Sequence, residues 1–234
     1  MKPILVLRHI ACEGPGYLEQ VFKRHNIPLQ MIHIDENQSV PDSLQDFAAL
    51  VLMGGPMSAN DDLPWIGQEL ALIRQADASG MPVLGHCLGG QLISKALGGE
   101  ISRNPVKEIG WLPVTQYENA LANEWFGKTM TFDAFHWHGE TFSIPQGATP
   151  LLQSEYCANQ AFAKGNILAL QCHLEITAEQ VPIWATEYAD EISVPSDSIQ
   201  SRATMQYDLA HRIRVLQAIA DDTYERWLQP LLQA

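Results

Sequence analysis

The sequence predicts an α/β protein: a mostly parallel central sheet flanked by helices, with a few antiparallel strands and a helical C-terminal extension. Three observations carry this. Through Gly99, short apolar runs alternate strictly with helical patterns over short connections, which is how right-handed βαβ units are written. From residue 109 to 171, strand-like runs follow one another with little helical periodicity. After Glu175 the pattern turns helical again.

The elements follow in order. Ile4–Leu7 reads as a buried strand, and Gly14–His25, with Leu18, Val21 and Phe22 apolar, as a helix. Leu29–Ile34 is a second strand. Phe47–Met53 is a third, ending at Gly54-Gly55-Pro56. Pro64–Ala78 carries Ile66, Leu70 and Ile73 on one helical face; Met81–Leu84 is a short strand; Leu88–Leu97 is a helix closed by Gly98-Gly99. The middle holds strand-like runs at Trp111–Gln116, Thr129–His136, Leu151–Glu155 and Ile167–Gln171. They read as antiparallel strands inserted on, or extending, the parallel sheet. Thr177–Glu191 and Ser201–Ala220 are helical. In the latter, Met205, Leu209, Ile213, Leu216 and Ile219 fall at helical steps, with Ser193–Asp197 as a loop between the two helices. No linker divides the chain, so residues 191–234 are expected as a helical extension packed on the domain formed by 1–190.

Composition bounds the function. The chain has 234 residues, 46% hydrophobic and 18% charged, enough to bury a core. Lys and Arg total 14 against 27 Asp and Glu, a net charge of −13. Such a surface repels phosphate backbones and anionic membranes, so neither nucleic acid nor membrane is an expected partner. The cysteines Cys12, Cys87, Cys157 and Cys172 form no CxxC pair, which argues against a disulfide framework or a thiolate zinc site. The N-terminal apolar run is too short for a signal peptide, and no stretch is long enough to span a bilayer. A cytoplasmic protein with reduced thiols is expected.

The strongest chemical signal is Leu84-Gly85-His86-Cys87-Leu88-Gly89-Gly90-Gln91. A strand runs into Cys87 and a helix starts directly after it. This is a nucleophile elbow, with small neighbours where backbones must approach. The helix dipole favours a thiolate there, and the Leu88 N–H is left to bind a developing oxyanion. The bland reading, a small buried cysteine beside a glycine turn, leaves the flanking glycines unexplained. The second signal is Gln171-Cys172-His173-Leu174-Glu175, after an apolar run. In extended backbone His173 and Glu175 leave on one face, so His173 can serve as base for Cys87 and Glu175 can orient it. A histidine after a strand is otherwise a satisfied structural residue. The third is Gly54-Gly55-Pro56-Met57-Ser58, on its own a tight turn. The loops after all three strands should open on one edge of the sheet, where ligands bind. His136 and His138 share a strand face, which suits a metal pair. No carboxylate or third histidine stands at ligand spacing beside them, so no metal and no cofactor are expected.

These motifs, together with Lys107–Trp111 and Trp137-His138-Gly139-Glu140, resemble the class I, triad-type glutamine amidotransferases. The resemblance is strongest to stand-alone proteins similar to the amidotransferase domain of GMP synthase. It spans most of residues 1–190 and implies a flavodoxin-like fold. It further implies Cys87 as nucleophile, His173 as base and Glu175 as its orienting partner. Gly55 and Leu88 would supply the oxyanion N–H groups. Gln91 and the backbone around Trp137, Gly139 and Glu140 would hold the α-amino and α-carboxylate groups of glutamine. Leu174 stands where the family commonly has proline, and Met57, Trp137 and Glu140 also depart from its pattern. The substrate implied is glutamine or another γ-glutamyl small molecule, cleaved through a γ-glutamyl thioester to release ammonia or an amine. Fifty-nine residues follow Glu175, too few for a synthetase domain, and no GxxxxGK[ST] loop is present. A chain that accepts ammonia is therefore expected to be separate. Two alternatives stay open: a γ-glutamyl peptidase acting on glutathione-like compounds, and a regulatory module with an idle triad, which would have no need of all three residues.

Overall fold

The computed structural model describes residues 1–233. Nine strands form one sheet in the order β2-β1-β3-β4-β9-β8-β7-β5-β6. Strands β1 (Ile4–Arg8), β2 (Leu29–His33), β3 (Ala49–Leu52), β4 (Val83–His86) and β9 (Ile167–Leu170) are mutually parallel. Strands β5 (Ile101–Gln116), β6 (Thr131–Phe142), β7 (Thr149–Ser154) and β8 (Ala161–Lys164) extend it antiparallel. The mixed sheet is the one the sequence pattern implies.

The parallel half is apolar on both faces because helices cover both. In β1, Ile4 and Val6 face one layer and Leu5 and Leu7 the other. Helices α2 (Pro64–Ser79) and α3 (Leu88–Ala96) lie on the second face. Helix α1 (Tyr17–Arg24), α4 (Ala120–Phe126), α5 (Gln180–Glu187), α6 (Arg202–Gln206) and α7 (Leu209–Leu232) lie on the first. Pro64 starts α2 at the position that needs no N–H donor, and Gly80 ends it at φ 69°. The chain leaves β1 for β2 on one side and reaches β3 on the other, so the strand order reverses at the carboxyl end of β1. Ligands of open α/β sheets bind at such a reversal.

Several boundaries move. The strand expected at Met81–Leu84 is Val83–His86, so it runs directly into Cys87. The strands expected at Trp111 and Thr129 are longer, and pair along one another around a bulge between Arg103 and Glu108. Strand β8 and helix α4 have no counterpart among the expected elements. Helix α4 starts where the Asn119 side chain accepts from the Ala122 N–H at 2.8 Å, and β8 is a four-residue run between turns. The helix expected over 177–191 is α5 followed by a short 3-10 turn at Ala189–Ile192. The one expected over 201–220 is broken at Asp208, φ 51°, and its second part continues to Leu232. The apolar stripe continues with it through Ala220, Tyr224, Trp227 and Leu228. Residues after 191 are tied to the sheet: the Ile109 N–H donates to the Ser198 carbonyl at 2.9 Å, and the Trp111 indole to Met205 at 3.0 Å.

Candidate active site

The carboxyl ends of β3, β4 and β9 bring the three sequence signals together. Cys87 is the N-cap of α3 at φ 50°, ψ −108°, a backbone that L-residues adopt only under constraint. The constraint is visible. The Cys87 N–H donates to the Leu170 carbonyl at 2.8 Å, and its carbonyl accepts from Gln91 at 3.0 Å. The glycines that follow let α3 sit directly on the sheet. A Cβ at Gly89 would fall 2.1 Å from the Leu52 carbonyl oxygen, and one at Gly90 2.4 Å from that of Leu170.

His173 is held by an N–H donation to Phe135 O at 2.8 Å and by the edge of its ring against Trp184. Its Nδ1 lies 2.6 Å from Glu175 Oε1, whereas Nε2 has no partner within the protein. Burial works against a charged His173, but the Glu175 carboxylate and the neighbouring Cys87 thiol outweigh it and raise its pKa well above the ordinary value. Burial likewise opposes ionisation of Glu175, but the imidazoles of His86 and His173 hold its carboxyl below the usual range. The second Glu175 oxygen is 3.5 Å from His86 Nε2, which also meets the Tyr224 hydroxyl at 2.9 Å. Burial lowers the His86 pKa to about 4, against the pull of the Glu175 carboxylate. The C-terminal helix α7 thus reaches the back of the His173–Glu175 pair through Tyr224.

A cleft of about 670 Å³ opens over Cys87. Gly55, Gln91, Trp137, Gly139 and Glu140 all line it, as the sequence motifs imply. Gly55 lies against Leu88, the first residue of α3, whose N–H has no intrahelical acceptor. Gln91 is engaged: its Nε2 donates to Gln171 Oε1 at 3.2 Å, and Gln171 Nε2 donates to Cys87 Sγ at 3.5 Å. The thiol is 3.7 Å from the Trp137 carbonyl oxygen.

The structure adds residues that sequence reasoning missed. Glu13 is 6% exposed, lines the cleft, and accepts from the Tyr188 hydroxyl at 2.8 Å. Burial raises its carboxyl pKa, against the pull of His173. Glu13 follows β1 on the same sheet edge as the three motifs, and that position was its signal. Tyr188 and Glu191 had none; they arrive after α5, where Glu191 accepts from the Trp137 indole at 3.3 Å. His9 is fully enclosed beneath the Gly54-Gly55 turn, between the Met53 carbonyl at 2.9 Å and both Glu69 oxygens at 3.1 Å. Contrary to the sequence expectation, a carboxylate does stand beside His136 and His138, because the β5–β6 register sets Glu108 opposite His138.

Fold and cleft together define an α/β protein with a cysteine elbow facing a histidine–glutamate pair. The family model for class I glutamine amidotransferases matches residues 17–181, and the chain belongs to this family. It is 37% identical over 182 residues to the glutamine amidotransferase-like protein YfeJ of Salmonella typhimurium, covering 74% of this chain and 75% of that protein. It is 31% identical over 137 residues to a glutamine-hydrolyzing GMP synthase subunit of Sulfurisphaera tokodaii, covering 57% of this chain and 70% of that protein. Among solved structures, a glutamine amidotransferase from Methylobacillus flagellatus superposes with a TM-score of 0.95 at 40% identity, covering 98% of this chain and 95% of that one. No described helix is long and apolar enough to cross a membrane.

Proposed function

We propose that the chain is a cysteine hydrolase that cleaves the γ-amide of glutamine, or of a γ-glutamyl compound, through a γ-glutamyl thioester. The observation that carries this is the elbow cysteine with strained backbone beside a buried histidine whose Nδ1 rests on a carboxylate at 2.6 Å.

The Cys87 thiolate attacks the γ-carbonyl carbon while His173 holds the proton. Charge gathers on the carbonyl oxygen, where the N–H groups of Gly55 and Leu88 receive it. As the tetrahedral intermediate collapses, the C–N bond breaks and the His173 imidazolium protonates the departing ammonia or amine. His173 then takes a proton from water, the resulting hydroxide attacks the thioester, and the C–S bond breaks to give glutamate and free Cys87. Glu175 keeps the imidazole oriented and stabilises its charged form. Gln91 and the backbone at Trp137, Gly139 and Glu140 hold the α-amino and α-carboxylate groups. An ammonia-accepting synthase on a separate chain is in keeping with the relatives named as glutamine-hydrolyzing subunits of GMP synthase.

One observation favours the γ-glutamyl peptidase reading. A cleft of about 670 Å³ suits a ligand larger than a free amino acid. The deciding experiment measures kcat/KM of the purified chain for glutamine, glutathione and a γ-glutamyl dipeptide. We expect the γ-glutamyl peptides to equal or exceed glutamine. Efficient glutamine hydrolysis with no peptide turnover would refute the peptidase version. No turnover of any of them, alone or with a synthase partner, would leave only a regulatory module.

A further inference from the structure

We propose that Glu108, His136 and His138 form a binding site for a borderline divalent transition metal, zinc being the natural probe, in the β5–β6 wall of the cleft. The inference does not depend on the chemistry of Cys87.

The backbone creates the cluster. His136 and His138 are two apart on β6, so both rings leave on one face. Glu108 on β5 is paired directly with His138. One ring nitrogen from each histidine and one Glu108 carboxylate oxygen lie within 4.8 Å of one another, and all three residues are buried.

Hydrogen bonding decides which atoms are free. His136 Nε2 faces the Leu112 carbonyl at 3.3 Å, so it carries the proton; Nδ1 keeps a lone pair with no partner. His138 Nδ1 faces the Glu140 carbonyl at 3.0 Å and must donate there, which leaves Nε2 as the atom able to ligate once it gives up any proton it shares with Glu108. That nitrogen stands 3.1 Å from Glu108 Oε2. The Glu108 carboxylate already accepts from Ser154 Oγ and Gln160 Nε2, each at 2.7 Å, which fixes its orientation. Gln160 Nε2 also approaches His138 Nε2, at 3.3 Å.

An unpartnered nitrogen of His136 therefore shares one buried cluster with the His138–Glu108 pair. A proton on His138 would relieve its contact with Glu108 and leave His136 Nδ1 stranded. A divalent cation serves all three. The far nitrogen of each ring donates to a backbone carbonyl, as it does in histidines that ligate metals. Two nitrogens and one oxygen suit zinc, iron or nickel, and not the all-oxygen shells of calcium or magnesium. Zinc, with bonds of about 2.0–2.2 Å, would draw the three side chains closer together. His138 lines the cleft, which gives the ion a route in. Once bound, the metal would fix the segment that presents Trp137, Gly139 and Glu140.

The test uses the full chain carrying Cys87→Ala, so that metal capture by the cleft thiol is excluded. Zinc is titrated in competition with a chromophoric chelator, and cobalt(II) is then added in its place. We expect one equivalent per chain, a cobalt d–d spectrum without thiolate charge transfer, and a melting temperature that rises with zinc. Adding His136→Asn or Glu108→Gln should weaken binding by at least the roughly 10- to 100-fold that loss of an outer-shell partner of a ligand costs, and remove the zinc-dependent rise. Three results would overturn the site: no zinc binding by the Cys87→Ala chain, a thiolate charge-transfer band, or unchanged affinity in folded His136→Asn and Glu108→Gln variants. The first two are read on the parent alone, so a variant that fails to fold does not protect the proposal.

Discussion

Removing the carboxylate of Glu69 should separate a charge effect from a packing effect under the Gly54-Gly55 turn. Both nitrogens of His9 face acceptors, the Met53 carbonyl on one side and Glu69 on the other. A neutral ring has only one N–H, so the geometry calls for an imidazolium paired with a carboxylate, both fully enclosed. Burial works against that charge, but the attraction and hydrogen bonding of Glu69 overcome it and raise the His9 pKa. Glu69→Ala leaves the ring without a counterion and opens a void. Breaking a buried pair in this way costs about 3–5 kcal/mol, or roughly 6–20 °C in Tm for a chain of this size. Glu69→Gln should cost less, about 1–2 kcal/mol. A neutral His9 can keep its Nδ1–H on Met53 and accept from the new amide. The pH dependence follows from the raised pKa. The pair's contribution is complete below the unfolded value of about 6.5 and is lost as pH rises through the folded value. The deficit of Glu69→Gln should therefore be larger at about pH 6 than at about pH 9. Urea melts of the three proteins at both pH values measure it. If Glu69→Gln is as damaging as Glu69→Ala, or its deficit grows with pH, the imidazolium assignment is wrong.

Cys87 should be the cysteine that a diazo-ketone glutamine analogue labels fastest. Burial raises the thiols of Cys12, Cys157 and Cys172, and none of these sits at a helix start. Peptide mapping of the adduct checks this, and labelling chiefly elsewhere would reassign the nucleophile. His173→Ala should slow acylation by at least about 10⁴-fold, and Glu175→Ala by less, because the base moves the proton while the carboxylate orients the ring and stabilises its charged form. Single-turnover rates that reverse this order would reverse the roles. Gly89→Ala should destabilise the fold by about 1–3 kcal/mol, since its Cβ meets the Leu52 backbone and not a flexible side chain; an unchanged urea midpoint would contradict that close approach.

Local order in this protein is written in short-range patterns of the chain. The apolar run of β1 and the helical patterns of α2 and α3 were legible because helices cover both faces of the parallel half, which demands fully apolar strands and helices with one apolar face. The elbow, the His173-x-Glu175 pair and the glycine turn were legible because each is a short-range backbone device. Long-range packing settled the rest. Helix α4 depends on one capping side chain, Asn119, and β8 on neighbours supplied by β7 and β9. The stripe from Met205 to Leu209 looked continuous because periodicity does not register the left-handed turn at Asp208. Glu13, Tyr188 and Glu191 meet at the cleft from opposite ends of the chain. Glu108 becomes a neighbour of His136 and His138 only through strand register. Sequence spacing sets which side chains can share a face within one element. Which faces meet is fixed by long-range pairing, and the acidic, buried wall of this cleft is made of such meetings.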